Sequence, residues 1–275
     1  MDQTFNVIRW WQLVRLHWAE NRKRYWLGML AIGGLLTAWY SFLLTMDKFS
    51  PLDTIFQFSA YFIGIYFIGC LLGSTTFSAL SKKQEGIGYL ALPASHLEKL
   101  ACGLLFHVIL FFTAFTVIFY IVDIPMVHLA KRLMEESGQG GPIYIPPVYN
   151  IFLAKGAPIP ERIDHLFLIG YFVIQSAYVL GSVYFRKAAF LKTTVAVLLF
   201  GLILTLYATK IEHLLPYPWR MRGLFEWERY HNGANGEARI YIPFWIESSL
   251  RTIMQFGLPL IFWTITYFRL KEKEV

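Results

Sequence analysis

The chain has 275 residues, of which 56% are hydrophobic and 16% charged, against about 45–50% and about 25% in soluble domains. Its charges cluster and its apolar residues fall in runs of about 20, the length whose helical rise crosses a hydrocarbon core of about 30 Å, which excludes an ordinary soluble domain. The net charge of +7 does not call for a nucleic-acid partner, because basic residues beside membrane spans face anionic lipid headgroups.

The expected fold is an all-α polytopic membrane protein with six transmembrane helices. Residues 1–24 carry Arg9, Arg15, Arg22, Lys23 and Arg24. They hold no clean apolar block and no small-residue cleavage site, so the first span is expected to act as an uncleaved anchor. Residues 5–20 read as an amphipathic helix. Val7, Trp11, Val14 and Trp18 share one side, and Arg9, Gln12 and Glu20 the other. Such a helix either lies in the headgroup layer or packs on the protein's own surface.

Span one is expected at 25–44, where Gly28, Gly33 and Gly34 allow close helix approach. Span two follows at 54–80. Its Gly69 and Gly73 form a small-xxx-small pair that reports helix packing more often than dimerisation. Cys70 in this span and Cys102 in the next read as buried apolar residues. Span three is expected at 100–122, ended by Asp123 and Pro125. An outer segment, 123–165, contains Gly138 to Gly141 and then prolines 142, 146, 147, 158 and 160, which deny a long helix after about Ser137. Spans four and five are expected at 166–185 and 191–209, joined by a short basic turn. A second outer segment covers 210–247. Span six is expected at 248–268, softened at Pro259, before a basic tail.

The N-terminal segment, the 81–99 connection, the Arg186–Lys192 turn and the tail carry 14 of the 25 Lys and Arg. The positive-inside rule then places both termini and the 81–99 connection in the cytoplasm, with a bacterial inner membrane as the expected location. In the outer segments, Ile143-Tyr144-Ile145-Pro146 recurs as Ile240-Tyr241-Ile242-Pro243. Asn232-Gly233 and Asn235-Gly236 before the second copy suggest a short β-hairpin with Trp227 to Tyr230. The two segments are expected to form one external cap.

The 81–99 connection is unusual because it is charged at both ends and apolar in the middle, at Ile87, Tyr89, Leu90 and Leu92. It reads as a short helical knob offering an apolar face to a partner. Ser95 with Glu98 three residues later reads as a capping box for span three, with Lys99 as a membrane-edge cation.

The sequence contains no GxxxxGK[ST], HExxH, GxSxG or paired-cysteine motif, so no cofactor or metal is expected in this chain. No Asp, Glu, Lys or Arg lies mid-span, which argues against ion-coupled transport. His107 lies well inside span three and Gln175 near the middle of span four. Each reads as a pathway contact or, more simply, as a polar group bonded between helices. A membrane enzyme would need converging groups that His107 alone does not supply.

Leu92-Pro93-Ala94-Ser95 followed by Glu98-Lys99, preceded by Lys82-Lys83 and Gly86 between spans two and three, resembles the ABC-2 type permeases, membrane subunits of ABC transporters. The six-span layout and the amphipathic N-terminal helix fit as well. The resemblance implies an ATP-binding cassette subunit as partner, which would hold ATP and Mg. It also implies a second permease copy, identical or homologous. In that family the N-terminal helix lies along the membrane. The loop after span two forms a coupling helix on the ATPase, here implicating Glu85, Gly86, Tyr89, Leu90, Leu92, Pro93, Glu98 and Lys99. Tyr89, Leu90 and Leu92 would fill a pocket on the partner. The alternative is a non-transporting membrane scaffold or assembly factor acting through its outer segments.

Overall fold

The computed structural model describes residues 5–46, 52–81, 83–136, 148–151, 161–214, 219–223, 226–233, 236–241 and 244–273. Six helical segments are long and apolar enough to cross a membrane, and the chain is an all-α polytopic membrane protein with one small sheet in its second outer segment. In order, α1 spans Val7–Met46, α2 Thr54–Thr75, α3 Lys83–Ala91, α4 His96–Leu104 and α5 Phe111–Glu136. Then come α6 Glu161–Tyr184, α7 Ala189–Leu214, α8 Phe244–Thr252 and α9 Leu258–Glu272. A π-turn over Leu105–Leu110 joins α4 to α5, and another over Ile253–Gly257 joins α8 to α9.

Three expectations about helix limits are corrected. The N-terminal helix and span one are one rod. No Pro or Gly lies between Asn6 and Trp26, and Arg22-Lys23-Arg24 are good helix formers, so nothing breaks the ladder at residue 24. The amphipathic part is thus not a separate helix from span one. Its buried face, Leu13 and Val14, packs with Cys102 and Phe106 of the protein's own third span, while Val7 and Trp11 stay exposed. Span three does not end at Asp123: α5 runs through Pro125 to Glu136. A proline inside a helix removes one ladder bond, which neighbouring helices make tolerable in a membrane bundle. Span two ends at Thr75, and a 3-10 turn, Ser78–Ser81, leads into α3.

The core lies where α2, α5 and α6 meet. Tyr61, Ile65, Phe115, Phe119 and Val179 are almost wholly buried there. Apolar contact alone drives helices together weakly in lipid, so close packing and polar bonds matter more. At Gly73 a Cβ would stand 3.0 Å from the Gln175 amide, and at Gly69 it would stand 2.9 Å from the Tyr171 ring. The small-xxx-small pair therefore serves α2–α6 packing within the chain. Between α2 and α5, the Tyr61 and Thr116 hydroxyls bond at 2.9 Å. By contrast, α7 leaves almost its whole apolar surface exposed.

The two ends of the bundle differ. At one end the N-terminal segment, the start of α4, the end of α6 and the tail meet: Arg9 bonds Glu98, His96 faces Tyr267 at 6.3 Å, and Lys273 Nζ donates to the Val183 carbonyl at 2.6 Å. These are the segments rich in Lys and Arg, so we call this the basic end. At the opposite end, Gln57 Oε1 accepts from the Tyr149 amide at 2.7 Å and its Nε2 donates to the Leu52 carbonyl at 3.0 Å. The Ile151 amide donates to Tyr120 Oη at 3.1 Å. This part of the first outer segment is thereby held in the bundle. The second outer segment carries a sheet of strand order β1-β2-β3, with β1 Trp219–Gly223, β2 Glu226–Gly233 and β3 Gly236–Tyr241. The expected hairpin is β2–β3, antiparallel with Gly233 opposite Gly236, and β1 adds a strand the sequence did not announce. Residues 143–146, the first copy of the shared tetrapeptide, lie outside the described residues.

Candidate functional site

The expected knob is a helix, as its sequence suggested, but its residues divide differently. α3 is short and turns one face inward. The ring of Tyr89 meets Phe77 edge-on at 6.4 Å and carries Lys99 Nζ at 5.8 Å from its centroid. Gly86 is buried against the 3-10 turn, where a Cβ would lie 3.5 Å from the Ala79 carbonyl oxygen. Leu92 packs into the cluster of Leu13, Val14, Cys102 and Phe106. Tyr89 and Leu92 are thus half-buried, each with one side packed on the protein's own bundle. α1 packs on this region through Leu13 and Val14, beside Leu92. The outward face holds Glu85, Ile87, Gly88 and Ala91, and Ile87 is 68% exposed. Pro93 is exposed in the turn that follows. The Leu90 side chain lies outside the described part of the structure.

Glu98 and Lys99 are corrected as docking residues, because both are buried. Glu98 is a structural anchor. Ser95 Oγ accepts from the Glu98 amide at 3.2 Å while Glu98 Oε2 accepts from the Ser95 amide at 2.8 Å, completing the expected capping box. Its other oxygen accepts from the Asn6 amide at 2.7 Å and from Arg9 Nη2 at 3.1 Å. Asn6 in turn caps α1, its Oδ1 accepting from the Ile8 amide at 2.9 Å. One carboxylate thus ties the start of α1 to the start of α4.

His107 and Gln175 are brought together. His107 sits in the π-turn, buried, with Nδ1 3.2 Å from the Gly103 carbonyl oxygen. Gln175 Nε2 donates to the His107 backbone carbonyl at 2.9 Å. Gln175 thus bonds between helices, whereas the His107 ring bonds within its own helical segment and also lines the cleft described next. π-turns widen a helix locally and recur at functional sites.

Here the wide turn borders a cleft of about 600 Å³ between α1 and the rest of the bundle. Its polar rim includes His17, Glu20, Asn21, Arg24 and Ser78, and its apolar depth includes Gly28, Leu110, Phe111, Phe115 and Ile118. Aromatic contacts hold α1 to the π-turn beside it. Tyr25 stacks on Phe106 at 5.6 Å, the His17 ring lies 4.5 Å from Phe106, and His17 Nε2 bonds Tyr25 Oη at 2.7 Å. Sequence reasoning passed over His17. The available signal was a histidine directly before Trp18 on a face that Tyr25 continues two turns later. It also misjudged Asp123. Asp-Ile-Pro reads as a helix stop, yet Asp123 is wholly buried within α5 and accepts from Tyr40 Oη at 2.7 Å. Among the described residues no cluster of His, Cys, Asp or Glu could hold a metal ion. Cys70 and Cys102 are buried and unpaired thiols.

Compared with protein-family models, curated proteins and solved structures, the chain matches none of them.

Proposed function

We propose that this chain is the membrane subunit of a transporter driven by a separate ATP-binding subunit, of the ABC-2 type that its 82–99 stretch resembles. The observation that carries the reading is the division of α3 into two faces. Tyr89 and Gly86 anchor it to the bundle, while Ile87 is left outward on a charged end. A coupling lever needs both faces, one fixed to the helices and one for the motor. In this reading the basic end faces the bacterial cytoplasm, in accord with the positive-inside rule. ATP and Mg bind the partner, and a second permease copy, identical or homologous, completes the assembly.

Burying Ile87 in a partner contributes about 1.5–3 kcal/mol, so Ile87→Asp should weaken the complex by roughly 10- to 150-fold. The expected result is normal insertion with loss of the co-purifying ATP-binding subunit. Retention of that subunit by the variant would remove the role given to α3. A second reading is a membrane scaffold acting at the opposite end, and the three-stranded sheet favours it as a ready binding element. It expects no ATP-binding partner in native membrane and loss of binding on deleting residues 219–241.

A further inference from the structure

The lining of the cleft along α1 favours an occupant of one chemistry. Its walls change character along the bundle axis. On α1 the lining runs from His17 to Ile32 and on α5 it ends at Ile118. At about 1.5 Å per residue the α1 wall is about 22 Å long. The rim is polar and lies among Arg15, Arg22, Lys23 and Arg24, with Glu20 the one acid beside them. Deeper in, Leu72, Phe111, Ala114 and Phe115 offer only hydrocarbon. Half of a hydrocarbon core of about 30 Å is about 15 Å, so a molecule that is polar at the rim and apolar below has the order of a lipid in the leaflet at the basic end. The volume lies within the roughly 300–1,000 Å³ of small-molecule sites. Glu20 and Arg24 balance within the lining, and the excess positive charge that decides the headgroup comes from Arg15, Arg22 and Lys23 on the same stretch of α1 outside the lining.

We infer that this cleft binds an anionic phospholipid from the leaflet at the basic end, one acyl chain lying along Phe111 and Phe115 and the phosphate meeting Arg24. The inference does not rest on the motor reading, since a chain that never met an ATP-binding subunit would hold the lipid equally well.

Gly28 supplies the test. It lines the cleft, and a Cβ built on it meets nothing within 4 Å, so Gly28→Trp fills the space without displacing backbone. Gly34 is equally open but does not line the cleft, which makes Gly34→Trp the control for added bulk on α1. The full-length protein is delipidated in detergent and titrated with dioleoyl-phosphatidylglycerol, dioleoyl-phosphatidylcholine or oleate, and bound copies are counted by native mass spectrometry. One tight copy of the anionic phospholipid is expected in the wild type and in Gly34→Trp, and none in Gly28→Trp. Arg24→Gln should weaken it about five-fold, the worth of roughly 1 kcal/mol for one basic group near the headgroups. Equal retention by Gly28→Trp, or equal binding of phosphatidylcholine, overturns the inference. So does oleate binding as tightly as the phospholipid, which would make the ligand a free fatty acid. Should Gly28→Trp fail to fold, quenching of Trp18 by brominated phosphatidylglycerol decides. The quenching lost in Trp18→Phe should saturate at one phosphatidylglycerol per chain, and equal quenching in the wild type and Trp18→Phe overturns the inference as well.

Discussion

Glu98 offers the sharpest prediction about how the basic end is held. Its carboxylate accepts from the Ser95 and Asn6 amides and from Arg9, at 2.8, 2.7 and 3.1 Å, and is fully shielded from solvent. Hydrogen bonds to a charged group contribute about 1.5–3 kcal/mol each, and a cap about 1 kcal/mol. Arg9 counts for less, because its side chain is 33% exposed and water screens such a pair to about 0–1 kcal/mol. Glu98→Ala should therefore cost about 3–6 kcal/mol, by orphaning the Ser95 and Asn6 amides, while Ser95 Oγ still caps α4 through the backbone amide of residue 98. Glu98→Gln keeps an acceptor for the amides and loses only the charge, so it should cost about 1–2 kcal/mol. Equilibrium unfolding in mixed micelles gives the totals, and amide exchange over residues 6–14 locates them, since α1 should fray from its start. If Glu98→Ala and Glu98→Gln were equally stable, with unchanged exchange over that stretch, the carboxylate would not be the tie between α1 and α4.

Two further predictions concern the rest of the bundle. A Cβ at Gly181 would stand 1.9 Å from Thr193 Oγ1, so Gly181→Ala should destabilise the α6–α7 contact by about 1–3 kcal/mol. Adding Thr193→Ala should recover part of that loss, a coupling readable in a double-mutant cycle; independent, additive effects would refute the close approach. Gln57→Leu removes one of the two bonds that hold residues 148–151, leaving the Tyr149 amide and the Leu52 carbonyl unmatched at about 1–3 kcal/mol each, while Tyr120 still holds Ile151. Limited proteolysis should then cut near residue 150 at a higher rate than in the wild type, and an unchanged cleavage pattern would contradict the anchoring.

The features legible in the sequence were the local ones. Ser95 and Glu98 stand three apart, and that spacing alone specifies a capping box. Asn235-Gly236 marks a hairpin for a similar reason: both flanking strands are within a few residues. Apolar runs reveal spans because the bilayer sets their length. What escaped depends on distant partners. Which side Tyr89 faces is set by Phe77 and Lys99, and nothing beside Tyr89 in the chain records that. The same holds for Glu98, whose second oxygen is occupied by residues about 90 positions away. The π-turns at Leu105–Leu110 and Ile253–Gly257 carry no sequence signature, although the second comes just before Pro259, where softening was expected. Asp123 was misread because a stop signal, Asp followed closely by Pro, is only a bias that surrounding helices override.

The account turns on α3 presenting Ile87 outward while Tyr89 holds it to the bundle. The most direct measurement is a photo-crosslinking amino acid placed at 87 or at 89 in native membrane, with the products identified by mass spectrometry. Position 87 should join a protein that carries a phosphate-binding loop, and position 89 should join only this chain. Attachment of position 87 to lipid alone, or identical products from both positions, would contradict the account.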